Sequence, residues 1–223
     1  MNWKDEGYLL SKTNFGENSI IIETFTLDHG KYSGIVYGGS SKKQKKKFQI
    51  GNKILLNLIT KNVNKMGYFN VELMKPIAPL FFEDKKKSIC ILSSSTILRI
   101  LLPERQTNKK IYRSFEELIN QLNNNDWIKN YIYWELSLIK HLGYEINFLD
   151  QNRSINNTKK TVELNGKYFK IPQLLLKKNS QDLSKPRIKE ALIFNKSLLM
   201  ENFILPNRLK FPLSRNILEH YYN

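Results

Sequence analysis

Apolar and polar residues alternate along the first part of the chain with the two-residue period of β-strands. Turn-forming residues, such as the segment Asp-His-Gly at 28–30 and the pair Gly51-Asn52, interrupt this alternation. The pattern predicts five strands, at Gly7–Thr13, Ser19–Phe25, Lys31–Tyr37, Lys53–Thr60 and Tyr68–Met74. Short consecutive strands of this kind are typical of a small barrel. We expect an OB-fold, and an SH3-like barrel fits the number of strands almost as well.

After Pro76 and Pro79 the apolar spacing changes to the three- and four-residue steps of helices. Ser114 stands at the capping-box distance from Glu117, and Asp126 can cap the helix after it. The predicted helices lie at 88–102, after Ser114, from Asp126 to Gly143, at Ile188–Met200 and at Pro206–Tyr221.

Helical periodicity is lost between residues 147 and 184. Within this stretch Asn165-Gly166, the strongest short turn signal, predicts a hairpin in TVELNGKYFKIP. The expected fold class is therefore α+β. We expect a five-stranded OB-fold barrel in residues 1–78 and an α-helical domain in residues 79–223, with a small hairpin insertion at about 147–184.

The charge balance favours polyanions as partners. The 223 residues include 36 Lys and Arg against 20 Asp and Glu, which gives a formal net charge of +16. A chain rich in Lys and Asn is also what an AT-rich genome encodes, so clusters of charge are more informative than the total. One basic region runs from Lys159 to Lys196, with ten Lys or Arg against three acidic residues.

The densest basic cluster is the stretch YGGSSKKQKKKF at Tyr37–Phe48. Its lysines repel one another, and a phosphate backbone would relieve this repulsion and release counterions. Tyr32 and Tyr37 are candidate platforms for base stacking. A solvated basic loop and a localisation signal are the alternatives for this stretch. The expected phosphate contacts are Lys42, Lys43, Lys45, Lys46 and Lys47, supported by Lys61 and Lys65 in the loop between the last two predicted strands.

Motifs for catalysis, cofactors and metals are missing from the sequence. The three histidines are far apart, the acidic residues are mostly isolated, and neither GxGxxG nor GxxxxGK[ST] occurs. The single cysteine, Cys90, lies in an apolar run, where we expect it to be buried. Glu135 also has apolar neighbours, and we expect it to pair with a buried arginine. We expect no enzyme activity, no cofactor and no metal.

The sequence has no apolar segment of membrane-spanning length and no secretory signal at its N-terminus. We therefore expect a soluble protein of the cytoplasm, with no membrane partner.

An ordered series of short features in residues 3–39 resembles a known family. The series comprises Asp5-Glu6-Gly7, Gly16-Glu17, His29-Gly30 and Gly38-Gly39. In this order and spacing it is similar to the N-terminal domain of RecO, a family of bacterial recombination mediators. The stretches at 101–122 and 133–148 resemble the start of the helical domain of that family.

The resemblance implies an OB-fold and a helical domain without catalytic activity. It also implies binding of single- and double-stranded DNA, annealing of complementary strands, and association with the nucleoid. The implied protein partners are RecR and the acidic tail of single-stranded DNA-binding protein, which together let RecA load. Many relatives hold zinc with four cysteines, and because this chain has only Cys90, zinc is not implied here.

The expected function is that of a non-enzymatic, DNA-binding and strand-annealing mediator of recombinational repair. An RNA-binding OB-fold module associated with ribosomes is the alternative, because it would share the barrel and the charge. A protein-interaction scaffold, whose charge reflects only codon usage, is a third possibility.

Overall fold

The computed structural model describes residues 2–42, 44–60, 65–144, 161–164, 166–176 and 182–223. The chain divides into two compact units, Met1–Tyr112 and Arg113–Asn223. The expected domain limits of 1–78 and 79–223 stay a prediction.

Five strands form a closed barrel in the first unit. They are β1 (Asn2–Phe15), β2 (Ser19–Thr26), β3 (Gly30–Val36), β4 (Lys53–Ile59) and β5 (Tyr68–Lys75). Around the barrel their order is β1-β2-β3-β5-β4, and β4 closes the barrel by pairing with β1. The neighbours are antiparallel except for β3 and β5, which meet in parallel. This closed barrel, followed by helices, confirms the predicted α+β architecture with an OB-like barrel.

The barrel core is built mainly from alternate residues of the strands, together with Phe48 from the segment between β3 and β4. Trp3, Leu9, Ile20, Ile22, Tyr32, Val36, Phe48, Ile54, Leu56, Leu58 and Phe69 form one buried cluster. The strand β1 is longer than predicted, because the charged residues before Gly7 also pair with β4. Asp5 is buried there, and its Oδ2 accepts hydrogen bonds from the backbone N–H groups of Asp28 and His29, at 2.8 and 3.1 Å.

A short 3₁₀ helix, Ala78–Phe81, leads from the barrel to α1 (Lys85–Leu101). Asp84 begins α1 because its Oδ1 accepts from the N–H groups of Lys86 and Lys87, both at 3.1 Å. The helix α1 contacts β1 and β2 and buries Cys90, as predicted.

The helix α2 (Lys109–Gln121) begins five residues before the predicted N-cap at Ser114, so that prediction was wrong. Asn108 takes the capping role instead, since its Oδ1 accepts from the N–H of Ile111 at 3.0 Å. Ser114 instead lies in the second turn of α2, because Asn108, six residues earlier, already begins the helix.

The second unit continues with α3 (Trp127–His141), β6 (Thr161–Leu164), β7 (Lys167–Lys170), α4 (Gln173–Leu176), α5 (Lys185–Leu199) and α6 (Leu213–His220). A π-helical turn, Met200–Ile204, follows α5. The pairing of β6 with β7 confirms the predicted hairpin. The helix α6 begins later than the predicted Pro206, because the residue before Pro212 is biased away from helical geometry.

Glu135 on α3 and Arg215 on α6 form the buried ion pair that the sequence predicted for Glu135. The Nε of Arg215 donates to Oε1 of Glu135 at 2.6 Å, and neither side chain is exposed to solvent. The pair lies wholly within the second unit.

No helix among the described residues is both long enough and apolar enough to cross a membrane.

Candidate nucleic-acid interface

The strand register brings three exposed aromatic residues to one end of the barrel. Phe15 at the end of β1 pairs with Ser19 at the start of β2. Because Ile20 pairs with Val36, the next residue, Tyr37, lies beside Ser19. Tyr68 starts β5 at the same end. We call the end of the barrel that carries Phe15, Tyr37 and Tyr68 the aromatic end.

The chain leaves the aromatic end through Gly38 and Gly39. Gly38 has φ of +69°, a left-handed conformation that favours glycine. A Cβ on Gly39 would lie 2.6 Å from the side chain of Ile20, so only glycine lets the chain pass this close to β2. The two glycines therefore turn the chain from β3 into the basic segment that follows.

That segment folds into tight turns rather than an irregular loop. The N–H groups of Gln44 and Lys45 both donate to the carbonyl of Ser41, at 3.0 and 3.1 Å, and the N–H of Lys47 donates to the carbonyl of Gln44 at 2.9 Å. We call residues 42 and 44–47 the lysine turn. Its backbone is ordered by local hydrogen bonds before any ligand binds.

Two buried residues hold the lysine turn on the barrel. Phe48, directly after the turn, is 2% exposed and belongs to the barrel core. Asn52 is fully buried, and its Nδ2 donates to the carbonyls of Lys46 and Lys47 at 3.3 and 3.2 Å. Sequence reasoning assigned Asn52 only to a turn, because its partners come together only in the folded chain.

The expected phosphate-binding lysines of the turn differ in their exposure to solvent. Lys42, Lys45 and Lys46 are exposed on the lysine turn. Lys47 is half-buried, and its Nζ donates to the carbonyl of Val71 on β5 at 3.4 Å. Lys43 lies outside the described residues. The turn therefore presents three ammonium groups to solvent and uses a fourth partly as an anchor.

The loop between β4 and β5 carries the other two expected lysines. Lys65 is exposed and stands three residues before Tyr68, so it lies at the aromatic end. Lys61 lies outside the described residues.

The candidate stacking residues lie on opposite sides of the barrel wall. Tyr32 is only 8% exposed and packs edge-on against Trp3 in the core, with ring centroids 5.1 Å apart. It is therefore not available to a base, and that interpretation was wrong. Tyr37 is 67% exposed and its ring lies 5.8 Å from that of Tyr68. Positions 32 and 37 differ by an odd number, which already places them on opposite faces of a strand.

Many acidic groups of the first unit are held by cations away from the lysine turn. Glu6 pairs with Lys53 at 2.9 Å, and Glu23 pairs with Arg99. Residues 1–112 contain 19 Lys and Arg against nine Asp and Glu. The first unit is therefore strongly basic overall, as expected for a surface that meets a polyanion.

The basic region expected between Lys159 and Lys196 is partly offset by acidic partners in the second unit. Its described ion pairs are Lys167–Glu201 at 2.6 Å, Lys170–Glu190 at 3.6 Å, Arg187–Asp182 at 3.0 Å and Lys196–Glu219 at 3.7 Å. Beside them, a groove of about 390 Å³ lies between β7 and α5. Phe169, Ile193 and Phe194 provide apolar surface in this groove, and the charged residues Lys170, Lys189 and Glu190 line it as well.

Two family models match the chain. A model described as Recombination protein O N terminal matches residues 1–77, and one described as Recombination protein O C terminal matches residues 83–162. The first spans the barrel with its lysine turn and aromatic end. The second spans α1, α2 and α3.

Curated relatives agree with this assignment. The DNA repair protein RecO of Wolbachia sp. subsp. Drosophila simulans is 34% identical over 148 residues, which cover 66% of this chain and 61% of that protein. The protein of the same name from Ehrlichia chaffeensis is 33% identical over 161 residues, 71% of this chain and 64% of the relative. That from Roseobacter denitrificans is 32% identical over 147 residues, 66% of this chain and 61% of the relative.

The chain thus spans about three fifths of the length of the relatives that it matches. The two matched segments follow one another in the order that the family's own description gives, N-terminal before C-terminal. They confirm the resemblance drawn from residues 3–39 and from the stretches at 101–122 and 133–148. The chain belongs to the RecO family.

Proposed function

We propose that this chain acts in DNA repair and recombination as a non-enzymatic protein that binds DNA and anneals complementary strands. The observation that carries the proposal is the exposure of Lys42, Lys45 and Lys46 on an ordered turn at the surface of an OB-like barrel. The similarity to relatives named DNA repair protein RecO supports the proposal independently of the structure.

Phosphate binding follows from the charge and the order of the lysine turn. Each ammonium group that approaches a phosphate releases a condensed counterion, and this release favours binding at low salt. Because hydrogen bonds to the Ser41 carbonyl and from the Asn52 side chain already order the turn, little backbone entropy is lost when DNA binds. The contacts fall on phosphates rather than bases, so binding through the turn is independent of sequence.

Annealing follows if the same cationic surface neutralises two strands at once. Two complementary strands repel each other through their phosphates, and a basic surface lowers this repulsion while leaving the base edges free to pair. Lys65 at the aromatic end adds a further cation outside the lysine turn. We assign no group of the chain to bond making or breaking, and no cofactor or metal to the activity.

The proposed protein partners are RecR and the acidic tail of single-stranded DNA-binding protein, through which RecA loads onto coated DNA. For the tail, the groove between β7 and α5 has suitable chemistry. Lys170 and Lys189 complement its carboxylates, and Phe169 and Ile193 complement apolar side chains. We place the protein in the cytoplasm, at the nucleoid.

Annealing of complementary oligonucleotides tests the proposal. We expect the protein to accelerate annealing, and the variant Lys42→Ala/Lys45→Ala/Lys46→Ala to lose most of this acceleration. The matched control is Lys4→Ala/Lys85→Ala/Lys110→Ala, which removes the same charge from exposed positions outside the lysine turn and should retain the acceleration. Equal losses in both variants would show that total charge, and not the turn, is responsible. No acceleration by the unaltered protein would contradict the proposed activity.

A further inference from the structure

Tyr37 and Tyr68 lie at the surface of the aromatic end and not in the barrel core. Tyr37 follows β3 directly and is 67% exposed, although a tyrosine ring buries a large apolar surface when it packs in a core. Tyr68 is 37% exposed and contacts Tyr37, with 5.8 Å between ring centroids and 52° between ring planes. Each ring therefore leaves apolar surface open to solvent at the aromatic end.

Strand pairing fixes Tyr68 on the barrel, and Tyr37 directly follows Val36, the last residue of β3. Tyr68 pairs with Ile59 of β4 on one side and with Ile35 of β3 on the other. Its neighbour Phe69 is 2% exposed and points into the core, so alternation turns Tyr68 outward. The ring of Tyr68, held in this way beside that of Tyr37, loses little freedom when a flat ligand stacks on it.

Cations flank the two rings along the chain. Lys65 precedes Tyr68 by three residues, and Lys42 follows Tyr37 by five; both lysines are exposed. Exposed aromatic rings that alternate with basic side chains suit one ligand chemistry in particular: a nucleic-acid strand whose bases are unpaired. The bases of a duplex are already stacked on each other and cannot reach the rings.

We propose that Tyr37 and Tyr68 form a stacking site for the bases of single-stranded DNA, whose phosphates lie on Lys65 and on the lysine turn. The site makes the aromatic end specific for single strands, while the lysine turn binds phosphates of either form. This assignment rests on the proposed function, since it requires that DNA binds the barrel.

A comparison of two ligands with the same phosphates separates stacking from charge. The probes are a fluorescently labelled oligothymidine and an abasic strand of equal length, and the readout is fluorescence anisotropy at constant salt. We expect the protein to bind oligothymidine about tenfold more tightly than the abasic strand, since stacking on aromatic side chains contributes of this order per base. In Tyr37→Ala/Tyr68→Ala the two affinities should become equal, with the affinity for the abasic strand unchanged.

Two controls match this variant. Tyr37→Phe/Tyr68→Phe keeps both rings and should retain the preference for bases. Tyr168→Ala removes a tyrosine that is 71% exposed in the second unit, and it should retain the preference as well.

A crosslinking measurement on the unaltered protein does not depend on how the variants fold. Oligothymidine with 5-iodouracil substitutions should crosslink on irradiation to Tyr37 or Tyr68, identified by mass spectrometry of the peptides. Crosslinks confined to other residues would overturn the site.

The outcomes distinguish this site from the proposed function. Equal binding of both probes by the unaltered protein, or a preference that survives Tyr37→Ala/Tyr68→Ala, would overturn the stacking site and leave DNA binding intact. Failure to bind either probe would overturn both proposals.

Discussion

Replacing Glu135 with Gln should destabilise the second unit strongly, because it leaves the charge of Arg215 buried without its partner. Arg215 is completely buried. Burial alone opposes its charge, but Glu135, Tyr131 and Glu219 together outweigh burial and raise the pKa of Arg215 above its ordinary value, with Glu135 contributing most. The variant therefore keeps Arg215 protonated and removes the group that stabilises it.

The contacts around the pair set the expected magnitude. Besides Glu135, Arg215 donates through Nη2 to the carbonyl of Leu192 at 2.7 Å and through Nη1 to Glu219 at 3.4 Å. Removing one partner of a buried ion pair costs about 3–5 kcal/mol. Because Glu219 compensates in part, we expect a loss near the lower limit, about 3 kcal/mol.

Urea unfolding followed by circular dichroism measures this loss as a shift in the midpoint. The control is Glu219→Gln, whose partner distance is longer and whose side chain is 17% exposed, so its cost should stay below about 1 kcal/mol. In Glu135→Leu/Arg215→Met no charge remains buried, and this variant should be more stable than Glu135→Gln. A loss under about 1 kcal/mol in Glu135→Gln, or a double variant no better than the single one, would refute the reasoning.

Three further predictions follow from particular contacts. Asn52→Ala should lower the free energy of unfolding in urea by about 3 kcal/mol, because it leaves buried backbone groups unpaired. The same variant should lower DNA affinity by releasing the lysine turn, and unchanged DNA affinity would contradict the anchoring role. In calorimetric titrations, an acidic peptide with apolar residues should bind Lys170→Ala/Lys189→Ala less tightly than it binds the unaltered protein, and Glu190→Gln more tightly. Equal binding by the unaltered protein and both variants would exclude the groove. Burial lowers the pKa of Lys31 from its usual value near 10.5, so the unfolded chain binds more protons there and stability should rise with pH as the pH increases toward that value. Lys31→Met should flatten this part of the stability profile, and an unchanged profile would contradict the assignment.

The barrel was predictable because its strands alternate and its turns carry glycine and other turn residues. Two-residue periodicity placed β2 to β5 within a residue or two of their observed bounds. The hairpin at Asn165-Gly166 and the burial of Glu135 were also predicted from local sequence alone. In each case the signal lies within a few residues of the feature that it predicts.

Features that depend on distant parts of the chain were not predictable in this way. The apolar neighbours of Glu135 showed that it is buried, but its partner Arg215 stands 80 residues later. Asn52 joins the lysine turn to the N–H groups of Ile77 and Ala78, which only folding brings near. Strand pairing places Tyr68 beside Tyr37, and the residue pattern of one strand does not show which residues of another strand it pairs with.

The salt dependence of binding to single-stranded DNA tests most directly whether the lysine turn contacts phosphates. The slope of log affinity against log salt changes by about 0.7 for each phosphate contact on a single strand. Loss of three contacts in Lys42→Ala/Lys45→Ala/Lys46→Ala should therefore reduce the slope by about 2. The variant Lys4→Ala/Lys85→Ala/Lys110→Ala, with the same net charge, should keep the slope of the unaltered protein. Equal slopes for both variants would contradict the assignment of the lysine turn as the phosphate-binding surface.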